Sequence, residues 1–308
     1  MKISEILKTS PINKLDAEIL LAFVIKKNRS FLFTHGEYEP SQIQIKKYKE
    51  LEFRRLKSEP VAYLINSKEF FSLEFYVNKT TLIPRPETEK IVEIILEKAS
   101  PESTIIDVGT GSGAISISLK KNKNFKKIYA LDICRRALKV AEKNAKNHNV
   151  DIEFIQSDLL KNLDQSKLKK PIIFAMNLPY VPQNADLMDD VGLYEPKKAL
   201  FAGKDGLDLY RKIFTEIKNF DLMLIECNPE QNNEIKNLKN QYFPNKKLYA
   251  HDQGRILEIS AGLKISFPQK CIGFLKNYVR SNRNRRQAIP CGKRRQNPNG
   301  KTQRKSRR

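Results

Sequence analysis

The sequence predicts an α/β protein: a doubly wound sheet with an antiparallel last strand, preceded by a small helical domain and a β-hairpin linker. Three observations carry that prediction. From residue 104 onward, short runs rich in Ile, Val, Leu and Phe alternate with stretches of helical periodicity, the pattern of a mostly parallel sheet covered by helices. The run Thr104–Val108 opens directly into Gly109-Thr110-Gly111-Ser112-Gly113, and a glycine turn between strand and helix can cradle a nucleotide cofactor. The run Ile172–Met176 is too short for a helix and stops abruptly at Asn177-Leu178-Pro179-Tyr180. That puts a polar loop at a strand's carboxyl edge, where open α/β sheets bind ligands.

Taken in order, residues 1–66 carry apolar positions at helical spacing, with Leu15, Ile19, Leu20, Phe23 and Val24 on one stretch and Ile43, Ile45, Tyr48, Leu51 and Leu56 on another. They predict the helical domain, broken at Ser10-Pro11 and at Glu39-Pro40-Ser41, with Ser41 as an N-cap. In the linker, 67–84, the pattern changes to Phe70, Phe71, Leu73, Phe75 and Val77, which predicts a hairpin turning at Asn78-Lys79 and returning over 80–83. Pro84 and Pro86 then fix the entry to a helix through Ile91, Ile94 and Ile95, with Glu87 and Glu89 placed to complement its dipole. In the main domain, 85–263, strands are predicted at 104–108, 127–131, 152–155, 172–176 and 222–226, and helices at 115–119, 134–147, 206–219 and 230–241. Residues 247–250 and 256–259, around Asp252-Gln253-Gly254, read as the closing antiparallel pair.

Composition narrows the class. Of 308 residues 40% are hydrophobic and 30% charged, as in a globular protein with a full core. No stretch reaches the roughly 18 to 20 apolar residues of a membrane span, and the first residues carry acids where a signal peptide needs an apolar centre, so a cytoplasmic protein is expected. Cys134, Cys227, Cys271 and Cys291 form no C-x-x-C pair, and His35, His148 and His251 have no partners at metal-ligand spacing. Reduced thiols and no metal are expected. The net charge of +22 is unevenly spread: 264–308 holds 15 of the 57 Lys and Arg and no acid, leaving the rest at only +7. This tail, ending GKTQRKSRR, is too poor in apolar residues to fold alone, and weak, non-specific RNA contact is the most its charge predicts.

The glycines of the 109–113 loop let the backbone turn sharply and approach a ligand. The spacing Gly109, Gly111, Ala114 also satisfies the dinucleotide pattern, so the loop does not separate NAD from S-adenosylmethionine. Asp132 ends the second strand 23 residues after Gly109, where a carboxylate can accept from both ribose hydroxyls; its alternative is a helix N-cap. Asn177 offers a side-chain carbonyl and amide and Tyr180 a flat aromatic face, while Pro179 restricts Leu178 to extended conformations, together a grip for a planar amide or amino group.

With these pieces in place the sequence resembles the release factor glutamine methyltransferases over about 15–259. The resemblance lies in LDAEILLAFV at 15–24, EPVAYL at 59–64, Glu69-Phe70, TLIPRPETE at 81–89, DVGTGSGAI at 107–115, Asp132, the 177–180 loop and EPKKALFAGKDGLDLYRKI at 195–213. It implies a Rossmann-like methyltransferase sheet, S-adenosylmethionine as methyl donor, class 1 peptide chain release factors as protein substrates, substrate recognition by residues 1–66, and a monomer. It further implies that Gly109, Thr110, Gly111, Ser112 and Gly113 hold the methionine part of the cofactor, Asp132 the ribose, and Asn177, Leu178, Pro179 and Tyr180 the glutamine. Asn177 thereby meets both ligands. Two departures stand out: the family has Asn-Pro-Pro-Tyr where this chain has Leu178, and many members carry an aromatic where this chain has Leu159, next to the cofactor. The runner-up is an amino-methyltransferase of DNA or RNA, since an exocyclic adenine amino group offers the same pair of protons. A third reading, an RNA-binding module with a vestigial cofactor fold, predicts no cofactor binding.

Overall fold

The computed structural model describes residues 1–261; the basic stretch 264–308 and the RNA contact expected of it lie outside the described residues. Five helices come first: α1 (Ile3–Thr9), α2 (Lys14–Ile25), α3 (Arg29–Thr34), α4 (Gln42–Leu56) and α5 (Val61–Ile65). Ser41 caps α4 as expected, in a capping box: its Oγ accepts from the Gln44 backbone at 3.3 Å and its own N–H donates to Gln44 Oε1 at 2.8 Å. The core gathers Ile3, Ile6, Leu20, Leu21, Ile25, Leu32, Tyr48, Leu51 and Leu64. The buried residues of α2 are Ala17, Glu18, Leu20, Leu21, Ala22 and Ile25; of the stripe read from the sequence Leu20 is buried and Val24 packs against the core, while Leu15 and Phe23 stay exposed. Both sets fit the helical period.

The hairpin is β1 (Ser67–Phe70) and β2 (Leu73–Tyr76), paired antiparallel with Phe70 opposite Leu73. Its turn is Phe71-Ser72, both at positive φ (51° and 57°), so the expected turn at Asn78-Lys79 is wrong. A two-residue turn of this hand favours Asn and Gly; here tertiary contacts impose it, because the Phe71 ring is buried and its N–H donates to Glu89 Oε1 at 3.0 Å. Asn78 makes a local turn instead, its Oδ1 accepting from the Thr80 N–H at 2.9 Å, and 80–83 forms no strand.

After a single 3-10 turn at Pro86–Thr88 the chain runs α6 (Glu89–Lys98), β3 (Thr104–Val108), α7 (Ala114–Asn122), β4 (Lys127–Asp132), α8 (Arg135–His148), β5 (Glu153–Gln156), β6 (Ile172–Met176), the four-residue α9 (Asp189–Gly192), α10 (Asp208–Glu216), β7 (Leu222–Glu226), α11 (Asn232–Tyr242), β8 (Lys247–His251) and β9 (Ile256–Ser260). The strand order is β5-β4-β3-β6-β7-β9-β8. The first five strands pair parallel, and β9 inserts antiparallel between β7 and β8. β3, β6, β7 and β9 are buried along their whole length, as strands covered on both faces must be. The order reverses between β3 and β6. The crevice at that switch point is therefore bounded by the residues that follow Val108 and Met176. No helix among the described residues is long and apolar enough to cross a membrane.

Candidate active site

The glycine loop leaves β3 and is pinned by β4, with the Gly109 and Thr110 N–H groups both donating to the Leu131 carbonyl at 2.8 and 2.9 Å. Gly109, Gly111 and Gly113 all take positive φ, but only two are hemmed in. A Cβ on Gly109 would sit 3.0 Å from Leu178 Cδ2, and one on Gly113 would sit 2.7 Å from Ile117 Cδ1. At Gly111 a Cβ would enter open space, its nearest neighbour 4.0 Å away, so this glycine borders room for a ligand. Thr110 and Ser112 turn inward: the Thr110 hydroxyl donates to Asp107 Oδ2 at 2.6 Å and Ser112 is buried, its carbonyl accepting from Asn144 Nδ2 at 2.9 Å. The Thr110 hydroxyl and the Ser112 carbonyl are thereby taken.

Asp107 sits at the floor of the loop, fully buried. Burial pushes its carboxyl up to about 6, against hydrogen bonds from Thr110 and Ser116 that lower it. Its Oδ1 has no partner among the described residues, and a buried acceptor left unmade is costly unless a ligand or water completes it.

Asp132 ends β4 and accepts from the Gly111 N–H at 2.9 Å through Oδ2 and from the Cys134 N–H at 2.8 Å through Oδ1. It is not the cap of α8, since Cys134 holds that position and no side chain caps it. Each carboxylate oxygen keeps a further lone pair. Burial raises the Asp132 pKa, opposed by the two N–H donors. The following Ile133 is exposed and gives this edge an apolar face suited to a flat ring. Leu159 is placed differently from its sequence reading. It adopts φ +54° and buries its side chain in the main core cluster with Leu160 and Leu163, while Asp158 is held by Lys212 at 2.7 Å.

Asn177 and its neighbours leave β6 beside the glycine loop. Leu178 is buried against Gly109, which is an apolar role the proline of the family pattern would fill differently. Pro179 is half-buried, and Tyr180 packs partly against the main core. Asn177 Nδ2 donates to Thr88 Oγ1 at 2.9 Å; Thr88 Oγ1 donates to Glu226 Oε2 at 2.6 Å; the Tyr180 hydroxyl donates to Glu226 Oε1 at 3.1 Å. Gln231 Nε2 holds the Tyr180 carbonyl at 2.9 Å. No donor among the described residues meets Asn177 Oδ1. The structure thus brings Gly109, Gly111, Gly113, Asp132, Asn177 and Leu178 to one edge, with Leu159 buried in the same core cluster as Leu178. Sequence reasoning missed Asp107, Thr88, Glu226 and Gln231. Of these only Asp107, buried at the end of a strand beside the glycines, carried a local signal.

A parallel sheet with a glycine loop after one strand, an acid after the next, and a polar Asn-Leu-Pro-Tyr loop across the switch point defines the class of methyltransferases with a Rossmann-like fold, and residues 88–186 match the methyltransferase small domain family. Residues 1–65 match the PrmC N-terminal domain family. The chain belongs to the release factor glutamine methyltransferase family: it is 35% identical over 239 residues to that enzyme of Bacillus cereus, covering 74% of this chain and 84% of the relative. It is 36% identical over 262 residues to that of Clostridium acetobutylicum, covering 80% and 92%. Among solved structures, the hMettl16 catalytic domain in complex with MAT2A 3'UTR hairpin 1 aligns at 15% identity and TM-score 0.49, covering 80% of this chain and 93% of that one.

Filling the open space at Gly111 tests the loop. Gly111→Ala is expected to weaken S-adenosylmethionine binding by about tenfold or more, while the positive φ costs only about 1 to 2 kcal/mol of stability. Equilibrium dialysis showing wild-type affinity would mean that the loop holds no ligand.

Proposed function

We propose that the protein transfers a methyl group from S-adenosylmethionine to the side-chain amide nitrogen (N5) of the glutamine in the Gly-Gly-Gln loop of class 1 peptide chain release factors. The observation that carries this reading is the Asn177 amide, whose Nδ2 is committed to Thr88 and whose Oδ1 is left to accept. The residues present also fit the cofactor. The glycine-loop backbone and the open space at Gly111 would hold its methionine part, with the unpartnered Asp107 Oδ1 at the floor. Asp132 would hold the ribose, and Ile133 would lie against the adenine. When bound, the cofactor supplies an electrophilic methyl group on a sulfonium centre.

An amide nitrogen is a poor nucleophile, because its lone pair is delocalised into the carbonyl. Asn177 Oδ1 and the Leu178 backbone carbonyl accept the two amide protons and hold the lone pair in line with the methyl group, while Tyr180 lines the amide plane. Orientation of this kind can supply on the order of 7 to 11 kcal/mol of a barrier. The N–C bond would form as the cofactor's S–CH3 bond breaks, the electron pair leaving with sulfur, and the methylated nitrogen would then give one proton to solvent, so no base need ionise the amide first. To test the reading, labelled S-adenosylmethionine is offered with a release factor, with its Gln-to-Ala variant in the Gly-Gly-Gln loop, and with tRNA or DNA. Label is expected on the unaltered release factor alone. Label on the variant or on nucleic acid would overturn the substrate assignment.

A further inference from the structure

We propose that Glu226, acting through Thr88, sets which way round the Asn177 amide lies, and so which of its two polar atoms faces the substrate. The inference rests on the reading of Asn177 as the acceptor of a substrate amide proton. A threonine hydroxyl has one proton to give. Thr88 gives it to Glu226 Oε2 at 2.6 Å, so what Thr88 turns to Asn177 is a lone pair, and only Nδ2, at 2.9 Å, can satisfy it. Oδ1, the other arm of the same planar amide, is thereby left to accept. Without a carboxylate behind it, the same hydroxyl could donate to Oδ1 instead, and the amide would turn its NH2 group towards a substrate that also presents NH2. Donor would then face donor.

The device is built into the fold. Glu226 is the last residue of β7, 3% exposed, and it anchors Thr88 at the entry to α6 and Tyr180 beyond β6 at once. The Tyr210 hydroxyl of α10 holds its backbone carbonyl at 2.5 Å. The charged and titratable groups around it are Glu87, Arg255, Tyr180, Tyr210 and Cys227. Burial is the largest influence and pushes its carboxyl up to about 7; Thr88, Tyr180 and Arg255 oppose the rise and Glu87 adds to it. A proton on Glu226 makes it a donor to Thr88 and lets the chain of hydrogen bonds run in reverse. The active form is the ionised one, so turnover falls as pH drops through the raised Glu226 pKa of about 7. Glu226 and Thr88 are positioning residues.

A double-mutant cycle on the full chain, with S-adenosylmethionine and a release factor, tests this. Thr88→Val keeps the shape and removes the hydroxyl; it is expected to lower kcat about tenfold with both KM values within about twofold of wild type, and to abolish the acid limb. Thr88→Ser is expected to restore both kcat and the limb. In the Asn177→Ala background, Thr88→Val is expected to change kcat by less than about twofold, because the residue acts only through Asn177. Wild-type kcat in Thr88→Val, additive losses in the cycle, or a Thr88→Ser variant as slow as Thr88→Val would each overturn the inference. If wild-type protein labels no release factor, it is the substrate reading that fails. The inference is then decided by the Asn177 side-chain amide in a nitrogen-edited NMR spectrum, whose hydrogen-bonded proton is expected to shift in Thr88→Val; an unmoved resonance overturns it.

Discussion

Asn177→Ala is expected to lower turnover by about 100-fold or more while leaving S-adenosylmethionine affinity within about twofold of wild type. The expectation follows from what the side chain touches. Its one side-chain hydrogen bond among the described residues goes to Thr88, whose own anchor on Glu226 survives the substitution, so the fold should lose only about 1 kcal/mol. A loss that small cannot account for a hundredfold change in rate, which corresponds to about 2.7 kcal/mol. The difference measures an acceptor that matters most once the substrate nitrogen begins to take on positive charge. Single-turnover kinetics with saturating cofactor separate this effect from binding, and unchanged turnover would remove Asn177 from the proposed mechanism.

The parts of this molecule that sequence patterns reach are those in which local chemistry and tertiary role agree. Thr104–Val108, Ile172–Met176 and Leu222–Glu226 were legible to the residue, because a strand buried on both faces is mostly apolar, here interrupted only by Thr104, Asp107 and Glu226, and is bounded by Gly, Pro or charge. The hairpin was misplaced because Phe71-Ser72 adopts its left-handed turn for reasons lying 18 residues away, in Glu89. Leu159 was read as a ligand neighbour, yet its left-handed backbone turns the side chain into the core. The same limit applies to the site. Asn177 and Asp132 stand at strand ends, where position alone speaks for function. Thr88 and Glu226 lie 89 and 49 residues from Asn177 in sequence and become part of its surroundings only when α6, β6 and β7 pack. Thr88 falls within the TLIPRPETE stretch and Glu226 ends an apolar strand, but neither local sequence points to Asn177.

Asp132→Ala is expected to weaken S-adenosylmethionine binding by about 1.5 to 3 kcal/mol, the worth of a hydrogen bond to a charged acceptor, with turnover at saturating cofactor much less affected. Two losses combine here. The ribose hydroxyls lose their acceptor, and the Gly111 N–H, held by Oδ2 at 2.9 Å, loses the partner that fixes the middle of the glycine loop. Asp132→Asn separates them poorly and is expected to be nearly as weak. Both carboxylate oxygens accept from backbone N–H groups, of Gly111 and of Cys134, and an asparagine would have to turn its NH2 against one of them. Asp132→Glu keeps the charge but moves the oxygens beyond Gly111, so partial recovery of affinity there would assign the larger share of the effect to the ribose. Isothermal titration with S-adenosylmethionine across the three variants gives the comparison. Wild-type affinity in Asp132→Ala would mean that the carboxylate serves the loop alone and that the ribose is held elsewhere.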